Sequence, residues 1–310
     1  MKITNIVVVS PKYKQLEKMI VAKNLPNNFR FLPEVEVTEE DLRWADAFVA
    51  FNTKTQFDYN HVKWVHSLGA GVDSLLFKKQ WNEDVLLTRT ICSFGQRIAE
   101  YCLSYILKDL QYHDQFQQAK THKKWEPITP KLLSGQKVMI YGTGEIGQKT
   151  AQLFSSFGVE VYGVSLSGKQ KDYFKEVISI NNHLAQLSDI NYVINTLPLT
   201  ESTDKLFNDH FFKRVSNIGF LNVGRGKSID EQALLLALND DYVRFAVLDV
   251  FAIEPLPEDN PLWSHPNVAI TPHISAVTTP NEGVDCFVET LKNIEANKPL
   301  HNKVDVNKGY

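Results

Sequence analysis

Cysteine is scarce, neither sign of charge dominates, and no apolar run is long enough to enter a membrane. Cys92, Cys102 and Cys286 are three in number, far apart and without metal-ligand spacing. Neither a disulfide framework nor a metal centre is indicated, and reduced thiols in a cytoplasmic protein are expected. Lysine and arginine total 33 against 36 acidic residues, with no long run of either sign. That balance gives no electrostatic ground for binding nucleic acid or a membrane surface, so small molecules are the partners left. The first apolar run, Ile6-Val7-Val8-Val9, is followed at once by Pro11; it is too short for a signal-peptide core or a span and reads as a buried strand.

What the chain does have is regular alternation. At 310 residues and 43% hydrophobic content, it can fill two cores of ordinary size. Strands are predicted over residues 3–9, 29–32, 47–51, 64–67 and 85–88, with helices over 12–22 and 39–44 among them, enough for a small doubly wound domain. A long helix is predicted over 97–118, with Ile98, Tyr101, Cys102, Tyr105 and Ile106 on one stripe. The polar stretch 121–127 reads as an exposed arm. Strands then resume over 137–141, 159–165, 177–180, 192–196, 219–222, 245–248 and 268–271. A last helix, 281–297, carries Val284, Phe287, Val288, Leu291 and Ile294 on one face. Periodicity does not say which domain receives it.

Gly142-Thr143-Gly144-Glu145-Ile146-Gly147 follows the strand 137–141 and opens an amphipathic helix. The first glycine permits a tight turn, the second lets the backbone approach a pyrophosphate, and the third lets the helix pack closely on the strand. The helix N-terminus adds partial positive charge. With a strand before, a helix after and a second strand beyond, the motif points to a dinucleotide. Its late position implies that another folded unit precedes it.

The second strand ends at Ser165, where an acidic residue ordinarily accepts hydrogen bonds from the adenosine ribose of NAD. A serine removes the charge that repels a 2′-phosphate, and Ser167, Lys169 and Lys171 follow with donors and positive charge. NADPH is therefore favoured over NADH as cofactor. The alternative, a solvated loop in an enzyme that still prefers NADH or accepts both, stays open, because no arginine occupies the turn.

Three later segments each end a predicted strand with a residue useful for hydride transfer at a carbonyl beside a carboxylate. Arg225 lies between glycines in Asn222-Val223-Gly224-Arg225-Gly226, where its planar fork can pair with a carboxylate. Glu254 and His273 follow the next two strands, at the sheet end where open α/β sheets bind ligands. Reduction of a 2-keto acid needs a proton at the carbonyl oxygen as hydride reaches carbon, and a histidinium is a natural donor. A neighbouring carboxylate favours the charged imidazole and orients it. The other eight histidines, His66 among them, lack such company.

These segments together, with Pro272-His273-Ile274-Ser275 and Asp249-Val250-Phe251 ahead of Glu254-Pro255, resemble the D-isomer-specific 2-hydroxyacid dehydrogenase family over nearly the whole chain. Further similar segments are Leu68-Gly69-Ala70-Gly71-Val72-Asp73, Ala99-Glu100-Tyr101, Thr196-Leu197-Pro198-Leu199-Thr200, and the approach to the histidine through Pro261-Leu262-Trp263 and His265-Pro266-Asn267-Val268. The resemblance implies an α/β fold of two doubly wound parallel-sheet domains with the ligand cleft between them. A flavodoxin-like substrate domain would comprise 1–97 completed by 278–310, and a Rossmann cofactor domain 98–277.

By the same resemblance Arg225, Glu254 and His273 are catalytic, and Ala70 and Gly71 join Arg225 and His273 around the substrate. Thr196, Leu197, Pro198, Asn222, Val223, Gly224, Asp249 and His273 join the glycine turn, Ser165, Ser167 and Lys169 around the cofactor, with Asp249 near the nicotinamide end. A homodimer through the cofactor domain is implied, with the arm around Trp125 reaching the neighbour. Residues 68–76 and the ending through Pro299-Leu300, Val304-Asp305 and Gly309-Tyr310 look most like short glyoxylate/hydroxypyruvate reductases. The expected activity is NAD(P)H-dependent reduction of a small 2-keto acid to the D-2-hydroxy acid. Ser165 and the non-basic Leu166 depart from the family pattern and bear on cofactor choice, not on reaction type. Phe51, Asn52 and Leu75 are candidate pocket liners, although core packing explains the two apolar ones equally well.

Other readings fit less well. An L-lactate or malate dehydrogenase would carry its glycine motif near the N-terminus, and a formate dehydrogenase would lack the acid–histidine pairing. An NAD(P)-sensing binding protein or corepressor on the same fold, and a phosphoglycerate dehydrogenase-like enzyme, are the alternatives kept.

Overall fold

Strands buried on both faces find backbone partners only in other strands, and helices must then cover both faces. The computed structural model describes residues 1–51 and 53–309. Asn52, a candidate liner, and Tyr310, the last residue of the family-like ending, lie outside the described residues. The chain divides into two compact units, Met1–Cys92 with Thr278–Tyr310, and Ser93–Val277. The first boundary falls ahead of residue 97, because the helix beginning at Phe94 lies whole in the second unit.

Unit 1 runs β1 (Asn5–Val9), α1 (Tyr13–Val21), β2 (Asn28–Leu32), α2 (Glu39–Trp44), β3 (Ala47–Ala50), β4 (Trp64–Ser67), α3 (Asp73–Leu76) and β5 (Leu86–Arg89). Its strands are parallel in the order β2-β1-β3-β4-β5, the flavodoxin-like order. Thr38 and Asp41 close a capping box that starts α2.

Unit 2 opens with α4 (Phe94–Leu110) and α5 (His113–Thr121). The single helix predicted over 97–118 is thus two. Tyr112 adopts φ 55°, a left-handed conformation that an α-helix of L-residues cannot propagate, and α5 beyond it buries no residue. Thr121 closes α5, and the exposed arm follows it, with Trp125 98% exposed. The unit continues with β6 (Lys137–Tyr141), α6 (Glu145–Ser156), β7 (Glu160–Ser165), β8 (Glu176–Ser179), β9 (Tyr192–Asn195), α7 (Asp209–Phe212), β10 (Ile218–Asn222), α8 (Glu231–Asn239), β11 (Val243–Leu248) and β12 (Val268–Ile270). Its seven-stranded sheet has the order β12-β11-β10-β9-β6-β7-β8. The order reverses beside β6, between β7 and β9, which makes the end of β6 a topological switch point of Rossmann type.

The last helix, α9 (Pro280–Glu295), belongs to unit 1. A Thr279–Glu282 capping box and Pro280 at its first position start it. Its stripe of Val284, Phe287, Val288, Leu291 and Ile294 enters the core with Ile3, Ile6 and Val8, and Phe287 stacks on Trp64 at 5.6 Å between centroids. No helix among the described residues is long and apolar enough to cross a membrane.

Candidate active site

The glycine turn after β6 is built by close contacts. Gly142 has φ 97°, and a Cβ there would meet Thr196 Oγ1 at 2.6 Å; a Cβ on Gly147 would meet the Gly142 carbonyl oxygen at 1.7 Å. Only glycine lets α6 start this close to its strand. At Gly144 an added Cβ would meet nothing within 4 Å. The backbone at the start of α6 therefore faces open space, with first-turn amides that have no intrahelical partner. Thr143 and Gly147 are buried, while Glu145 is exposed and Ile146 half-buried. This donor set suits the pyrophosphate of a dinucleotide.

Next to it, the Thr196 hydroxyl donates to the Tyr141 carbonyl at 2.8 Å, which ties the 196–198 turn to the end of β6. At the end of β7, Ser165 Oγ accepts the Gly168 N–H at 3.1 Å and Ser167 Oγ accepts the Lys169 N–H at 3.3 Å. Lys169 and Lys171 are exposed, as is Leu166.

After β10, Gly224 and Arg225 carry the loop that follows Asn222. Arg225 Nη1 donates to the Gly224 carbonyl at 2.8 Å, and a Cβ on Gly226 would meet the Phe251 carbonyl carbon at 1.8 Å. The arginine loop is therefore pressed against the loop that holds Glu254. His273 Nδ1 stands 2.9 Å from Glu254 Oε2. The other carboxylate oxygen accepts the Phe251 N–H at 2.9 Å, which fixes the glutamate. Partial burial alone would raise the Glu254 carboxyl. Its hydrogen bonds with His273 and Phe251, and the charges of His273 and Arg225, outweigh that and hold it below the ordinary value. Arg225, Glu254 and His273 thus fall within one electrostatic neighbourhood.

His273 has φ 56°, an uncommon conformation for a residue with a side chain. Its N–H donates to Asp249 O at 2.8 Å and to Thr271 O at 3.0 Å. Asp249, expected to touch the cofactor, is wholly buried. Its carboxylate accepts the Thr271 hydroxyl at 2.6 Å, the Ile274 N–H at 2.8 Å and the Ser275 N–H at 2.9 Å. Those bonds tie Asp249 to the loop that carries His273. Tyr101 of α4 extends the same network, its hydroxyl 2.6 Å from Thr271 Oγ1.

Asn222 and Val223 are likewise buried, and Asn222 spends its amide inside the loop. It accepts the Gly224 N–H at 3.2 Å and donates to the Arg225 carbonyl at 3.2 Å. Sequence reasoning missed Asn195, Ser228, Thr271 and Glu231, the last of which accepts the Ala252 N–H at 3.0 Å and so braces the Glu254 loop. The signal that could have found Asn195 is a buried-type strand that ends on asparagine, as β10 also does at Asn222.

In unit 1, Ala70 and Gly71 lie in the loop after β4. Ser67 Oγ donates toward the Gly69 and Gly71 carbonyls at 3.1 and 3.0 Å, and Thr90 N–H reaches Gly69 O at 3.1 Å. Phe51 and Leu75 pack against the two cores of this unit.

Residues 102–275 match the model for the NAD binding domain of D-isomer specific 2-hydroxyacid dehydrogenases. The chain belongs to that family. It is an NAD(P)-dependent oxidoreductase with the two-domain parallel-sheet fold of that family. Glyoxylate/hydroxypyruvate reductase A of Escherichia fergusonii is 34% identical over 256 residues, covering 80% of this chain and 82% of that protein. A D-isomer specific 2-hydroxyacid dehydrogenase of Xanthobacter autotrophicus, solved with NADPH and MES, superposes with a TM-score of 0.89 at 27% identity over 100% of both chains. An NADPH-dependent glyoxylate/hydroxypyruvate reductase of Sinorhizobium meliloti, solved with NADP and sulfate, gives 0.87 at 26% identity, covering 99% of this chain and 100% of that one.

Proposed function

We propose that this protein reduces a small 2-keto acid of the glyoxylate or hydroxypyruvate type to the D-2-hydroxy acid, with NADPH as the preferred cofactor. The observation that carries the reading is the 2.9 Å His273–Glu254 pair in the field of Arg225. A bound nicotinamide dinucleotide supplies the hydride. Arg225 holds the substrate carboxylate through its planar fork. His273, with Nδ1 turned to Glu254, has Nε2 left to deliver a proton to the carbonyl oxygen as the carbon is reduced. Glu254 orients the ring and offsets its charge while the proton is held. Ala70 and Gly71 are assigned to the substrate as well.

The dinucleotide is assigned to the turn of Gly142, Thr143, Gly144, Glu145, Ile146 and Gly147, to Thr196, Leu197 and Pro198, and to Ser165, Ser167 and Lys169. Lack of an acid at Ser165 and two lysines just beyond it favour a 2′-phosphate. Two structurally similar family members were solved with NADPH and with NADP. Ser165→Asp should move the preference toward NADH; a wild-type enzyme that already turns over faster with NADH at equal concentration would remove the NADPH assignment. The same reading carries a cytoplasmic homodimer formed through unit 2, supported by the 98% exposure of Trp125. A monomeric mass by light scattering would remove that dimer.

Turnover of glyoxylate, hydroxypyruvate and pyruvate with NADPH tests the function. Turnover of at least one of them is expected. Tight cofactor binding with none turned over would leave the sensor reading standing instead.

A further inference from the structure

We infer that Asn195 and Ser228 are positioning residues that lock the 196–198 turn and the arginine loop into one rigid piece, so that substrate affinity depends on two side chains that never meet the substrate. This rests on the reading of Arg225 as the carboxylate anchor. Asn195 and Asn222 end the adjacent parallel strands β9 and β10 and are register partners. Both are wholly buried, as is Ser228. Asn195 Nδ2 donates to Asn222 Oδ1 and to Ser228 Oγ, each at 2.8 Å. Ser228 Oγ then donates to the Arg225 carbonyl at 2.6 Å, where Asn222 Nδ2 also arrives at 3.2 Å.

Backbone groups with a single capability fix both amides. Leu197 N–H can only donate, and it reaches Asn195 Oδ1 at 3.0 Å; Gly224 N–H does the same to Asn222 Oδ1 at 3.2 Å. Neither amide can turn over without stranding a buried donor, a cost that low local polarity makes large. The two loops also touch directly, since a Cβ on Gly224 would meet the Leu197 carbonyl oxygen at 2.7 Å and Asn195 Nδ2 at 3.1 Å. The side chains of Asn195, Asn222 and Ser228 also satisfy the Leu197 and Gly224 N–H groups and the Arg225 carbonyl, which apolar side chains would leave without partners. Here the network converges on the carbonyl of the one residue whose guanidinium must be held in place. Holding an arginine fork in register saves the ordering cost otherwise met on binding.

Ser228→Ala removes one link and adds no bulk. It should raise KM for hydroxypyruvate roughly five- to tenfold, leave kcat within about twofold, and leave Tm high enough for full folding at assay temperature. Asn195→Ser, which keeps one hydroxyl but cannot bridge both partners, should act in the same direction and more strongly. The deciding readout is a double-mutant cycle with Arg225→Gln. In that background Ser228→Ala should change KM no further. An equal rise in KM in both backgrounds, or a fall in specific activity with KM unchanged, would overturn the inference. If Arg225→Gln alone leaves KM unaltered, the anchor reading itself falls, a different outcome from the other two.

Discussion

His66 in unit 1 and His273 in unit 2 show what separates a histidine that builds a fold from one that can move a proton. His66 lies within β4 and is wholly buried. Its Nδ1 is 2.7 Å from Thr88 Oγ1 and its Nε2 is 3.4 Å from Thr90 Oγ1, with Trp64 and Phe287 beside the ring. Burial pushes its pKa down to about 3, so it stays neutral and serves as a hydroxyl-bonded core residue. His273 follows a strand instead, half-exposed, with a carboxylate at 2.9 Å. The partner and the exposed face, not the residue type, make the difference.

The largest effect that would break this contrast concerns the anchor beside His273. Arg225→Gln should lower kcat/KM for hydroxypyruvate by roughly 30- to 100-fold, mostly through KM; near-wild-type kinetics would detach Arg225 from the site. Glu254→Gln should cost about tenfold in kcat with little change in cofactor affinity. It carries a pH signature as well. The folded Glu254 carboxyl lies below its ordinary value of 4.5, so its stabilisation is complete above that pH and is lost as pH falls through the lower folded value. The melting difference between wild type and Glu254→Gln should therefore close on acidification below pH 4.5. A difference that persists unchanged would contradict the pairing.

His66→Gln should leave turnover unaltered and act on stability alone. Its folded pKa of about 3 lies below the ordinary 6.5, so the stability tied to neutral His66 is full above pH 6.5 and drains as pH falls toward 3. Melting temperatures of the wild type should fall across that window more steeply than those of the variant. Parallel curves would mean that His66 is not held neutral by the fold.

The strand series was legible because Val-, Ile- and Phe-rich runs of strand length offer few other solutions, and the order of both sheets fits the doubly wound fold read from them. Helix ends were less so. The break at Tyr112 carries no glycine or proline, and the expected single helix ran through it because α5 still has helical composition. Within the candidate site, Arg225, Glu254 and His273 were visible as titratable residues after apolar strands. The groups behind them were not. Asn195 and Thr271 read in sequence only as strand ends and Ser228 only as a turn residue, and it is their hydrogen bonding that reveals what they hold. Asp249 was legible only as a carboxylate after a strand; its bonds to the Thr271, Ile274 and Ser275 groups were not.

The most direct test places both histidines in one experiment. Enzyme preloaded with NADPH is mixed with hydroxypyruvate, and a single turnover is followed for wild type, His66→Gln and His273→Gln. His66→Gln should oxidise NADPH at the wild-type rate, while His273→Gln should bind NADPH normally and slow oxidation by about 100-fold or more. An oxidation rate for His273→Gln within a few-fold of wild type would contradict the role given to His273.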